Sequence, residues 1–187
     1  MSTFEELREL AKQWNTANDD YNAKALSFAR QFAIEFSRHI GAPEQCFDQV
    51  AMKPCVAVTR RQEAHGGSIS YPEIASIGET LDWDDNGYWI FGLLLRIDPA
   101  SNASSKRTFT ITSSNTTFTF PLRFFLREDT CELKIDPDGV FEVATTRPES
   151  WTPAHEYMTD LLKKLFLSKP WELYEQKRAI GFLTGRA

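Results

Sequence analysis

Residues 79–95 read ETLDWDDNGYWIFGLLL, and how this stretch folds decides the class of the whole chain. Asp82-Trp83-Asp84-Asp85-Asn86-Gly87 spells the opening of a calcium loop, D-x-D-x-N-G. Such a loop needs a two-oxygen carboxylate at its twelfth position and helices on both sides. The twelfth position here is Leu93, which cannot coordinate calcium. The flanks are also wrong for helices. Trp89, Phe91, Leu93, Leu95 and Ile97 alternate at strand period, and Ile77, Leu81 and Trp83 upstream keep even spacings. Asn-Gly between two such runs is the strongest short-range hairpin signal, because a type I′ turn needs positive φ at both central residues. The stretch therefore predicts a hairpin and no metal, and Asp136-Pro137-Asp138-Gly139 predicts a second acidic turn.

Working outward from the hairpin, short apolar runs at residues 50–59, 74–83, 88–97, 107–112, 117–126, 131–135 and 140–143 are joined by brief polar turns. Short connections pair neighbouring strands antiparallel. The expectation is an α+β fold with a largely antiparallel meander sheet of about seven strands over residues 50–145. Phe118, Phe120, Leu122, Phe124 and Leu126 define a core face. Thr117, Thr119 and Arg123 define an opposite face that is expected to be wet.

Two helical segments flank the sheet. Thr3 with Glu6 forms a capping box, and Gly41 followed by Pro43 is a stop signal, so a long N-terminal helix is predicted within residues 1–41. The segment NTANDDYN, residues 15–22, is rich in types that favour caps and turns. The apolar phase runs through it all the same, with Leu7, Trp14, Tyr21 and Phe28 in one heptad series and Phe4, Ala11, Ala25 and Phe32 in the other. One continuous helix of about 55 Å follows. Asn18 falls at a core-type heptad position, where a single asparagine can set the register of a coiled coil. The alternative is that the stripe packs on this chain's own sheet with Asn18 at its edge. Thr152-Pro153 opens the C-terminal helices, residues 152–183, with Tyr157, Leu161, Leu162, Leu165 and Phe166 on one side.

At 187 residues and 42% hydrophobic content the chain is expected to form a single domain, 1–187, with a real core. A net charge of -5 makes a nucleic-acid backbone an unfavourable partner. Cys46, Cys55 and Cys131 are odd in number and lack C-x-x-C spacing, so they read as buried thiols in a reducing compartment. MSTFEELREL is charged and polar where a signal peptide carries its apolar core, and the longest apolar run is far shorter than a bilayer span. A cytoplasmic protein without membrane contact is expected.

No pattern for cofactor, metal or phosphate is complete. His155-Glu156 begins H-E-x-x-H, but the fifth position is Thr159. The His65-Gly66-Gly67 tract could supply oxyanion-hole amides, but no G-x-S-x-G accompanies it. A two-residue loop at Asn86-Gly87 would set Glu79 opposite Leu94 and diagonal to Arg96, a carboxylate among apolar neighbours. Two function classes follow. The first is a non-catalytic interaction module, with Phe4, Leu7, Trp14, Tyr21, Phe32 and Phe36 of the helix stripe, or else the C-terminal segment, facing a protein partner or a second copy in a homodimer. The second is a small-molecule binder or hydrolase with a pocket around His65, Glu79 and Arg96.

Overall fold

The structure, a computed structural model, describes residues 3–47, 52–59, 62–63, 69–70, 81–97 and 116–167. The N-terminal helix α1 runs unbroken from Thr3 to His39. It ends where Gly41 takes φ of 63°, and Ala42 N–H reaches back to the Ser37 carbonyl at 2.9 Å. That left-handed residue is the reason for a glycine here. The segment 15–22 remains helical because most of its polar side chains face solvent, and the Thr16 hydroxyl donates to the Lys12 carbonyl at 3.1 Å instead of breaking the turn.

Among the described residues ten strands follow: β1 (Gln45–Phe47), β2 (Met52–Pro54), β3 (Val56–Thr59), β4 (Gln62–Glu63), β5 (Ile69–Ser70), β6 (Asp82–Trp83), β7 (Trp89–Ile97), β8 (Thr116–Leu126), β9 (Thr130–Ile135) and β10 (Gly139–Ala144). The main sheet has six strands in the order β10-β9-β8-β7-β3, with β6 also paired to β7. All its pairings are antiparallel. β7 to β10 form the expected meander. β1 pairs with β2 and β4 with β5 in two small ladders. A 3-10 turn, Pro148–Trp151, leads into helix α2, Thr152–Leu167. The expected strand at 107–112, the 74–80 part of another, and the helical continuation past residue 167 lie outside the described residues.

The alternating residues of β7, β8 and β9 build one apolar face. Phe91, Leu93, Phe120, Leu122, Phe124, Cys131 and Leu133 all lie at zero exposure. Against it pack only the later turns of α1, through Ala25, Phe28, Ala29, Phe32, Ala33 and Phe36. Trp151 locks this corner. Its ring meets Phe28 at 5.3 Å and Phe32 at 5.8 Å, and its indole N–H donates to the Ala144 carbonyl at 2.7 Å. From α2, Ala154, Met158 and Leu162 complete the cluster.

The opposite face is less wet than its threonines imply. Thr119 is buried there, and so are Ile90, Leu94, Arg96 and Thr59, so β7 is covered on both sides as a central strand is. Only toward β9 does that face open, where the Tyr88 hydroxyl donates to Glu132 at 2.8 Å and accepts from Lys134 at 2.9 Å. The Tyr88 hydroxyl and the Lys134 ammonium hold the Glu132 carboxyl below its usual range.

Of the three cysteines expected to be buried thiols, Cys131 is one and Cys55 is not, and the side chain of Cys46 lies outside the described residues. Cys131 is a buried free thiol, raised by that burial, whereas Cys55 is disulfide-bonded. No described helix is long and apolar enough to cross a membrane.

Candidate functional site

Helix α1 has two halves with opposite fates. From Ala25 on, the face made by Ala25, Phe28, Ala29, Phe32, Ala33 and Phe36 is buried in the core, while Ile34 on the other side is exposed. In the first half Phe4 is 74% exposed, Leu7 60%, Leu10 59% and Trp14 67%. Phe4, Leu7 and Trp14 continue the same heptad stripe, with Leu10 beside it, so the periodicity that covers the sheet runs on for some five turns without a cover among the described residues. The overhang from Thr3 to Asp20 is about 27 Å long at the rise of an α-helix.

The helix leaves the sheet at Tyr21. This residue is half-buried, and its hydroxyl donates to the Leu126 carbonyl at 3.4 Å. Its ring stacks on Trp83 at 5.9 Å and lies 6.2 Å from Trp89, and the two tryptophans are 3.9 Å apart. Trp83 remains exposed, so the stripe on the overhang continues directly onto an aromatic step at the sheet's end.

The turn between β6 and β7 produces this step. Trp83 pairs with Trp89 and Asp82 with Ile90, one residue away from the register of a two-residue Asn86-Gly87 loop. The physical reason is Asp84, whose Oδ1 accepts the amides of Asn86 at 2.9 Å and Tyr88 at 2.8 Å. This side-chain turn lengthens the loop to five residues, and Gly87 alone takes positive φ, 78°. The slip moves Trp83 onto the face of Trp89 and Phe91. The Asp84 carboxylate is used by its own loop, and among the described residues no three His, Cys, Asp or Glu side chains gather as a metal site would require.

The expected site residues are therefore divided. Phe4, Leu7 and Trp14 share the exposed stripe, and Tyr21 lies at its junction with the sheet. Phe32 and Phe36 have zero exposure and contact Trp151, His155 and Phe120, so they belong to this chain's own core and face no partner. The change of register removes the basis for placing Glu79 opposite Leu94. His65 and Glu79 lie outside the described residues. Arg96 is buried, with its guanidinium donating to the Pro54 carbonyl at 2.7 Å and its amide to the Cys55 carbonyl at 2.8 Å. That is an anchoring role between β7 and the chain entering β3.

Two exposed residues beside this stripe, Leu10 and Trp83, are not among those expected. Leu10 flanks the stripe three residues after Leu7, a spacing that could have revealed it. Trp83 was hidden by the hairpin register. No family model matches this chain, and no curated protein or solved structure matches it either.

Proposed function

We propose that this chain is a non-catalytic binding module that works by seating another polypeptide on the first half of α1. One observation carries the reading: a heptad stripe buried from Ala25 to Phe32 continues over Phe4, Leu7 and Trp14 in the open. Contiguous apolar patches beyond a few hundred Å² are rare on monomers and mark interaction sites. Large aromatic groups on such a patch are the residue types that dominate interface energetics. The absence of any complete catalytic pattern in the sequence supports the non-catalytic part. As to location, a bonded Cys55 weighs against the reducing compartment that the cysteine count suggested, since cytosolic disulfides seldom persist.

The test compares Trp14→Ala with the parent chain for both folding stability and association with itself or an added partner. An exposed side chain with no cover contributes within about 0.5 kcal/mol to folding. The expectation is an unchanged melting temperature measured under dissociating conditions, together with weakened association by light scattering. A strict monomer that loses several degrees of melting temperature on this substitution would place the stripe inside one chain and end the proposal.

A further inference from the structure

We infer that the polypeptide seated on α1 is a second copy of the same helix, running antiparallel, with the two-fold axis between Lys12 and Gln13. The inference rests on the proposed binding role of the stripe and adds its occupant and geometry.

Direction follows from what already lies in front of the stripe. The side chains of Ala25, Phe28 and Phe32 extend the exposed row, and they are covered by this chain's own sheet and Trp151. A parallel partner helix, lying against residues 4–18 and continuing forward, would run into that sheet. An antiparallel partner continues the other way, past the N-terminus of the first helix, where it carries its own sheet clear.

Register follows from size. In an antiparallel pair the two core positions of the heptad face each other. Setting Ala11 opposite Trp14 of the second copy places the smallest side chain of the row against the largest. The same register puts Leu7 opposite Asn18 and brings Phe4 onto Tyr21, beside the exposed Trp83 of the other copy. Along the flanks, Leu10 meets Ala17 and Arg8 meets Asn15. Glu5, Glu6, Glu9, Asp19 and Asp20 all fall at outward positions. Two copies of an acidic chain thus meet without apposing like charges. Phe4, Trp14 and Trp83, at about 150–250 Å² each when fully buried, together with Leu7 and Leu10, bring the two-copy interface to roughly 1,000 Å², the lower bound for a specific one. A weak dimer is the expected state.

The test uses the full chain in two parts. Sedimentation equilibrium of the parent should show a dimer, and Trp14→Asp should raise its dissociation constant at least roughly thirtyfold, the scale of a lost hot spot. Then Leu10→Cys and Ala17→Cys chains are oxidised mildly, each alone and as a mixture. Antiparallel pairing in this register gives a cross-linked dimer from the mixture only. Leu10→Cys cross-linking to itself would overturn the geometry, because it requires a parallel or slipped pair. A strict monomer whose Trp14→Ala variant keeps its stability would overturn self-pairing while leaving the stripe open to a different chain. A strict monomer destabilised by Trp14→Ala would overturn the binding role as well.

Discussion

Gly139 opens β10 at a point where no side chain fits. A Cβ built there would lie 2.7 Å from Cε1 of Tyr157 and 2.9 Å from Cε2 of Phe141. The Tyr157 ring is held from the other side by the Asp138 amide, which donates to its hydroxyl at 3.4 Å. Gly139→Ala should therefore cost about 1–3 kcal/mol, the range of overpacking. A denaturant titration checks it, and Tyr157→Ala in the same chain should recover part of the loss. His155 makes a different prediction. It is buried between the rings of Phe32 at 4.6 Å and Phe36 at 5.6 Å, with His39 5.5 Å away, and Nε2 finds no hydrogen-bond partner among the described residues. Burial, and then the charge of His39, push its pKa down to about 4. The unfolded chain, with an ordinary histidine near 6.5, binds the proton more readily. The contribution is thus fully present above pH 6.5 and is lost as pH falls toward 4, amounting to about 3 kcal/mol at most. Melting temperatures across that window should fall for the parent chain and fall less for His155→Phe.

At the scale of the element, α1 is one helix with two levels of protection. Amides after Ala25 lie under core side chains and should exchange only on global opening. Those from Glu6 to Asp19 should exchange by fraying in the monomer and become protected as concentration rises. Hydrogen exchange at two protein concentrations reads this directly. A uniform, concentration-independent profile would show that the first half is already covered. The continuity of this helix was legible in the sequence, because its heptad phase survives the polar segment 15–22. That one end should project was legible too, since a helix of 37 residues outruns strands of roughly 20 Å; which end projects was not, because the period of an apolar stripe is the same whether the cover is the chain's own sheet or another molecule. Phe32, Phe36 and Trp14 are alike in pattern, and only the length of sheet beneath them separates core from surface.

For the whole molecule, the antiparallel meander was readable from alternation in β7 and β8 and from the short turns between strands. What escaped were the features set by side chains acting on backbone or on distant elements. The Asp84 carboxylate captured two amides and shifted a hairpin by one residue, and that one residue decides which face Trp83 occupies. Burial of Thr119 and Arg96 was equally hidden, since a strand's polar residues do not reveal whether a second layer covers them. The Trp83–Trp89 pair carries an optical consequence. Two indoles 3.9 Å apart and inclined by 38° have electronic transitions close enough to mix, so the native chain should show a split band in its circular dichroism. Trp83→Phe should abolish that band without altering the helical signal. Because Tyr21 stacks on the same ring, the band reports on the hinge where the helix leaves the sheet, and a change in its amplitude on dilution would follow that joint without any added label.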